Sequence, residues 1–276
     1  MIASQPFLSL AIVTVHQLID IGANLTHTAF ATDLEQVIDR ARQAGVITMV
    51  VTGSSVSTSQ AAAALASTRA PTLYATAGVH PHEASAFSEH TVEELRALAA
   101  DPAVRALGEC GLDYNRNFSP REAQLRAFEA QLALAAELNL PMFLHEREAH
   151  ADLLALLKQY RDRIGAAVVH CFTGERKDLY AYLDLDLHIG ITGWICDERR
   201  GLHLRDLVGD IPPDRLMLET DAPYLLPRTL KPTPAHRRNE PAFLPVVLEA
   251  IAECTGRPPP QVADETTRTA RAFFAI

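Results

Sequence analysis

The sequence predicts an α/β fold, a single (β/α)8 barrel, from three observations. Strand-like and helix-like segments alternate from end to end, the alternation counts eight units with short connections, and 276 residues, 48% of them hydrophobic, suffice for one large core. No composition shift, low-complexity tract or short-period repeat marks a second domain, so residues 1–276 read as one unit. Residues 1–15 read as a short N-terminal extension. Pro6–Val15 is apolar, but no Lys or Arg precedes it and no helix of membrane-spanning length follows, which argues against a signal peptide and against a membrane protein.

The elements follow in order. Leu18–Ile21 is a short apolar strand. Leu34, Val37, Ile38 and Ala41 recur at helical spacing, and Gly45 ends that helix. Thr48–Val51 is the second strand and Ser57–Ala66 an Ala-rich helix. Leu73–Ala77 is the third strand and opens onto Gly78-Val-His80-Pro-His82. Thr91 and Glu94 predict a capping box for a helix reaching Ala99. The fourth strand, Val104–Leu107, runs into Gly108-Glu109-Cys110-Gly111. Ser119, Pro120 and Glu122 predict the cap, first turn and third-position acid of a long helix to Leu138, with Leu125, Phe128, Leu132 and Ala135 as its apolar stripe.

Met142–Leu144 ends at His145, and Leu153, Leu156, Leu157 and Tyr160 mark the next helix. Ala166–Val169 ends at His170, and Leu179 and Leu183 sit on the helix after it. His188–Ile191 runs into Thr192-Gly-Trp194, Leu204–Val208 is a short helix, and Leu216–Leu218 ends at Glu219-Thr-Asp221. A Pro- and Arg-containing loop covers Ala222–Pro241. Leu244–Ile251 and Val262–Phe274 close the chain, with a turn at Gly256–Pro260 between them.

The net charge of −9 excludes a global attraction to nucleic acid or anionic membrane, so a phosphate ligand requires a local patch or a metal. Cys110, Cys171, Cys196 and Cys254 form no C-x-x-C pair. This argues against a zinc ribbon or a disulfide framework and fits a reducing cytoplasm.

Active sites of such barrels lie at the C-terminal strand ends. The polar residues there are Asn24, His80, His82, Glu109, His145, His170 and Asp221. Glu109 ends a buried strand, where a carboxylate is costly unless it pairs with an Arg or binds a metal. Each His alone reads as an ordinary hydrogen-bonded rim residue. Three strand ends carrying His and two carrying carboxylates together predict a divalent metal site. Imidazole and carboxylate without cysteine suit a hydrolytic Zn²⁺, Mn²⁺ or Mg²⁺. In this reading Glu109 bridges two ions and His145 and His170 hold one. Asp221 holds the second, or holds the attacking water and takes its proton; a bound metal lowers the pKa of water from about 16 toward about 7. Glu109 and Asp221 are thus the candidate catalytic residues.

Arg228, Lys231, His236, Arg237 and Arg238 follow the eighth strand, and Arg199 and Arg200 follow the seventh. They are either solvated surface or a site for phosphate, which Arg forks fit well. Trp194 and Tyr224 either pack under loops or stack on bases. Cys110 points away from Glu109 and reads as a small buried hydrophobe.

With these residues in hand, the chain resembles the TatD family of metal-dependent deoxyribonucleases over Leu18–Ile276. The matching stretches are Asp20-Ile-Gly-Ala-Asn-Leu-Thr26, Ala77-Gly-Val-His-Pro-His82, Gly108-Glu-Cys-Gly-Leu-Asp113, Val169-His-Cys-Phe-Thr-Gly174, Gly190-Ile-Thr-Gly-Trp194, Cys196-Asp-Glu-Arg-Arg-Gly201, Glu219-Thr-Asp-Ala-Pro-Tyr-Leu225 and Arg237-Arg-Asn-Glu-Pro241. The resemblance implies an amidohydrolase-type TIM barrel in the cytoplasm that acts on DNA with Mg²⁺ or a similar ion. It implies a 3′-to-5′ exonuclease on single strands, extending to RNA, with a role in handling damaged DNA. It implies Glu109, His145, His170 and Asp221 as metal ligands; Asn24, His80, His82, Arg237 and Arg238 are the residues expected to face substrate.

Many members of the family open with Asp-x-His-x-His, whereas Gly22 and Asn24 stand at those two histidine positions here. The branch nearest this chain shares that feature. It predicts one firm ion at Glu109, His145 and His170 and a weak second ion near Asp221. Glu146 stands where a smaller residue is usual and has no reading. Two alternatives remain open: an amidohydrolase acting on a small cyclic amide or ester, which shares the fold and ligand types, and a non-catalytic nucleic-acid binder. The arginines after the eighth strand, and Glu109 where a carboxylated lysine would stand, favour the nuclease. With no coiled coil in the pattern, the expected state is a monomer.

Overall fold

A computed structural model describes residues 15–276, so the extension expected over residues 1–15 lies, except for its last residue, outside the described residues. Eight parallel strands form one sheet in sequential order: β1 (Leu18–Ala23), β2 (Val46–Val51), β3 (Leu73–Ala77), β4 (Val104–Asp113), β5 (Met142–Arg147), β6 (Ala167–Val169), β7 (His188–Ile191) and β8 (Leu216–Leu218). The ring closes between β8 and β1. Ala23 bridges Ala222, the Asn24 amide donates to the Ala222 carbonyl at 2.7 Å, and the Asp221 amide donates to the Gly22 carbonyl at 2.8 Å. The helices are α1 (Leu34–Gln43), α2 (Val56–Ser67), α3 (Glu89–Ala99), α4 (Arg121–Leu138), α5 (His150–Tyr160), α6 (Arg176–Leu183), α7 (Leu202–Leu207), α8 (Leu244–Thr255) and α9 (Pro259–Phe274). Among the described residues no helix is long and apolar enough to cross a membrane.

Two apolar layers follow from the strand period of two, which sends alternate side chains to opposite faces. Ile19, Ile21, Val50, Ala106, Phe143, Val168 and Met217 form the smaller cluster together with Phe273 and Phe274 of α9. The larger cluster includes Leu18, Met49, Leu73, Leu107, Cys110 and Leu144, packed with helix residues such as Val37, Phe128 and Leu157. Each fully buried side chain of this size contributes about 1.5–3 kcal/mol. Cys110 is fully buried, as its apolar reading requires.

Four local expectations need correction. The fourth and fifth strands do not stop at Leu107 and Leu144; β4 and β5 run on as a pair, with Gly111 opposite His145 and Asp113 opposite Arg147. A register shift between Leu107 and Cys110 and positive φ at Gly108 and Gly111 break the alternation that sequence reading relies on. A Cβ on Gly108 would stand 2.1 Å from the Phe143 carbonyl oxygen, so only glycine lets the strands meet there. Second, Ser88 caps α3 and exchanges bonds with Thr91, and Glu94 takes no part. Third, Ser119 does not cap α4. Its hydroxyl accepts from the Ser85 amide at 3.0 Å and donates to the His82 carbonyl at 2.8 Å, tying together the loops after β3 and β4. Fourth, Pro259 and Pro260 belong to the first turn of α9, where a missing N–H costs nothing, and not to a free turn.

The β1–β8 seam carries a buried polar latch. Asp20 is fully buried and accepts from the Thr220 hydroxyl at 2.5 Å, the Thr220 amide at 2.9 Å and the Gly22 amide at 3.2 Å. Burial outweighs these bonds and pushes its pKa up to about 7 from an ordinary 3.8. Below about pH 4 both folded and unfolded chains hold this proton. As pH rises toward about 7 the unfolded chain releases it first, so this contribution to stability is lost. Asp20→Asn should therefore show a flatter decline in urea midpoint between about pH 4 and 7 than the native chain. Parallel profiles for the two proteins would mean that Asp20 titrates normally.

Candidate metal centre

The rim above the C-terminal strand ends holds a cavity of about 300 Å³, lined by Asn24, His80, His82, Glu109, His145, Arg147, His170, Cys171, Asp221 and Tyr224 among others. Seven of these are the polar strand-end residues singled out from sequence. Ring closure brings together positions from Asn24 to Asp221.

Glu109 stands at the centre. Its Oε1 lies 2.8 Å from His170 Nε2, 3.0 Å from His145 Nδ1 and 3.4 Å from His80 Nε2. Burial opposes ionisation of this carboxyl. The electrostatic pull of His80, as it charges in acid, and of His170, with hydrogen bonds from His145 and His170, outweighs it and holds Glu109 well below the usual range. Donor atoms of His80, Glu109 and His145 lie within 4.8 Å of one another, close enough to share one ion.

What lies on the far side of each ring separates the histidines chemically. His170 Nδ1 faces Glu219 Oε2 at 3.2 Å. With Nδ1–H donating to Glu219, Nε2 presents a lone pair toward Glu109. Two lone pairs cannot face each other at 2.8 Å, so the space between them suits a proton or a metal cation. Burial works against charging His170, but Glu109 and Glu219 raise its pKa well above the ordinary value, as a site built for positive charge would do. His145 is placed similarly but lacks the far-side hydrogen bond. Its Nδ1 faces Glu109, while Nε2 lies 3.4 Å from Asp113 Oδ2, is buried and has no hydrogen-bond partner. His80 differs. Its Nδ1 accepts the His82 amide at 3.1 Å, so the neutral ring carries its proton on Nε2, the atom facing Glu109. Burial lowers its pKa to about 4, which keeps the ring neutral at pH 7. His80 is thus a hydrogen-bond donor into the cavity, whereas His145, His170 and Glu109 offer the lone pairs a divalent ion needs.

Asp221 Oδ1 accepts from the Asn24 side-chain amide at 3.0 Å. Burial pushes the Asp221 pKa up to about 7; His170 opposes this, and Glu109 and Glu219 add to it. His82 Nε2 lies 2.8 Å from Asp113 Oδ2. Glu146 has a local role: it accepts from the Ala149 amide at 2.7 Å and from the Tyr182 hydroxyl at 3.4 Å, holding the turn into α5.

The two arginines expected at substrate part company. Arg237 lines a neighbouring cavity of about 390 Å³ with Trp194, Arg199, Arg200, Arg228 and Lys231. Arg238 is turned elsewhere. Its guanidinium bonds Asp33 at 2.7 Å and Glu240 at 2.6 Å, anchoring the loop after β8 to the start of α1.

Sequence reading missed three residues. Glu219 and Asp113 sit behind His170 and His145, and Arg147 lines the cavity while donating to Thr173 Oγ1 at 2.6 Å. Parity held the clue for Arg147, two residues beyond His145 on β5; Asp113 and Glu219 lie where positive φ at Gly111 and the end of β8 interrupt the alternation. Glu219 also accounts for Gly22 and Gly190, since a Cβ at either would come within 2.6 Å of its carboxylate oxygens.

Comparison with known proteins gives one consistent answer. The family model for TatD-related DNases matches residues 19–275. A protein of Erwinia amylovora named 3′-5′ ssDNA/RNA exonuclease TatD is 54% identical over 257 residues, covering 93% of this chain and 99% of that protein. The crystal structure of a TatD homologue from Escherichia coli superposes with a TM-score of 0.86 at 28% identity, covering 95% of this chain and all of the other. A TatD-family hydrolase from Entamoeba histolytica superposes with a TM-score of 0.85 at 26% identity, covering 94% and 98% of the two chains.

Glu219→Gln should weaken divalent-ion binding by about 10- to 100-fold in a calorimetric titration, with the circular dichroism spectrum unchanged. Unaltered affinity would leave Glu219 without a role behind His170.

Proposed function

The chain belongs to the TatD-related DNase family, and from that premise we propose that it is a metal-dependent nuclease that removes nucleotides from the 3′ end of single-stranded DNA and RNA. The observation that carries the reading is the meeting of His145 and His170 on one oxygen of a buried, ionised Glu109. These three residues would hold the ion. We favour Mg²⁺, with Mn²⁺ and Zn²⁺ as alternatives. Such an ion supplies Lewis-acid polarisation of the phosphate and hydroxide at neutral pH when bound.

The protein's own groups divide the remaining work. Asp221 is poised near pH 7 to take a proton from the attacking water at the oxygen that Asn24 does not occupy. His80 donates its Nε2–H into the cavity toward a phosphate oxygen, and Arg147 adds charge from the end of β5. A second ion near Asp221 would be weak, because Gly22 offers no donor, its space holds Glu219, and Asn24 turns its amide N–H toward Asp221. The cations around Arg237 suit the phosphates of the trailing strand. Trimming of damaged 3′ ends by a cytoplasmic monomer is the cellular role this chemistry fits.

The proposal predicts a product ladder. With a divalent ion, a 3′-labelled single strand should release labelled mononucleotide at once, while a 5′-labelled strand shortens stepwise. EDTA should abolish both. Glu109→Ala and His170→Ala should each lose more than the roughly 100-fold typical of a residue that only supports a ligand. Cleavage indifferent to EDTA and to both substitutions would remove the metal mechanism.

The two arginines should separate in the same assay. Arg237→Ala is expected to raise KM and to reduce the slope of log affinity against log salt by about one. Arg238→Ala is expected to leave that slope alone and to lower stability by about 2 kcal/mol, since it strips a partner from the buried Glu240. A salt slope altered by Arg238→Ala and untouched by Arg237→Ala would reverse the assignment.

A further inference from the structure

The mouth of the metal cavity carries two rings that the chemistry above does not use. Among the described residues, five large hydrophobic side chains are exposed, and two of them, Phe118 at 68% and Tyr224 at 51%, are aromatics in loops leaving this rim. Phe118 lies five residues beyond β4 and Tyr224 six beyond β8. In a sequential eight-stranded ring those strands stand opposite each other, with four steps between them either way. The two rings therefore rise on facing sides of the opening that holds Glu109 and Asp221.

Neither ring is loose. Phe118 meets the His82 ring edge-on, with centroids 4.6 Å apart at 61°, and His82 is itself fixed by its bond to Asp113. Asn117, just before Phe118, takes a left-handed backbone and bonds back to the Tyr114 carbonyl, holding the turn. Tyr224 meets His27 edge-on at 5.6 Å, lines the cavity, and sits in a turn closed by its amide donating to the Asp221 carbonyl at 2.9 Å. Each ring is thus held by one edge contact and leaves a face in water. That differs from Trp194, which is partly buried, packs against the main core and has the Arg200 guanidinium 4.3 Å from its ring. An oriented, half-solvated aromatic face gains from covering by a flat apolar partner, and a nucleobase presents such a face.

We propose that Phe118 and Tyr224 form a two-sided clamp for nucleobases, stacking on the last two bases of a single strand and so presenting the phosphate between them to the metal centre. The clamp rests on the nuclease reading for its ligand and adds a reason for strand choice. Bases in a duplex are already stacked and paired, so their faces are covered, whereas unpaired 3′ bases are free to enter. Stacking does not distinguish base identity, which suits a nuclease that degrades strands of any sequence.

The test uses the intact protein in EDTA, so that binding is read without turnover. A single-stranded DNA with 2-aminopurine as its last or penultimate base should lose fluorescence on binding the native protein. Phe118→Ala and Tyr224→Ala should each abolish quenching at one of the two positions and weaken binding about tenfold, and Phe118→Trp should restore both. In a second arm, with divalent ion, an oligonucleotide ending in two abasic residues should be cut about tenfold or more slower than its base-bearing parent by the native protein, and equally fast by the double alanine variant. Abasic and base-bearing ends bound and cut alike by the native protein would overturn the clamp while leaving the nuclease assignment standing. Quenching that depends on Phe118, in a protein that cleaves no strand with any divalent ion, would support the clamp and reject the nuclease.

Discussion

One buried oxygen, Glu109 Oε1, sets the terms for the rest of the rim. A carboxylate removed from water is costly unless positive charge comes to it, and here three imidazoles from β5, the end of β6 and the loop after β3 point at the same atom. The barrel supplies that convergence, because ring closure places strand ends far apart in sequence around a single opening. Gly108 and Gly111 let β4 pass close to β5, so that Glu109 stands inside the ring and not on its outer face.

Behind the imidazoles stands a second set of acids. Glu219 behind His170 selects which of its ring nitrogens carries hydrogen and which faces Glu109, while Asp113 holds His82 at 2.8 Å and lies 3.4 Å from His145 Nε2. The outer acid of the His170 pair occupies the space that a side chain at Gly22 would need. The neighbouring Asn24 orients Asp221 through its amide.

The barrel was legible because its evidence is periodic and redundant: eight apolar runs, each followed by a helical stripe, place the strands to within a few residues. The strand-end acids and imidazoles were legible because barrels put polar chemistry on one rim. What escaped reading was whatever depends on a backbone detail or a neighbour across the ring. The extension of β4 through Glu109 to Asp113 hides behind two glycines with positive φ. The separate fates of Arg237 and Arg238, adjacent in sequence, turn on Asp33 and Glu240, which only the folded loop brings near. His80 and His170 look alike as letters and differ through what touches Nδ1: a backbone amide in one case, a carboxylate in the other.

The seam between β8 and β1 has a temporal side. Asn24 comes from the beginning of the chain, while Glu219 and Asp221 come from its last strand, some two hundred positions later. Until that strand has docked, His170 lacks Glu219 and the cavity lacks Asp221. The strand that closes the ring thus also completes the cavity, since an undocked β8 would part Asn24 from Asp221 and His170 from Glu219.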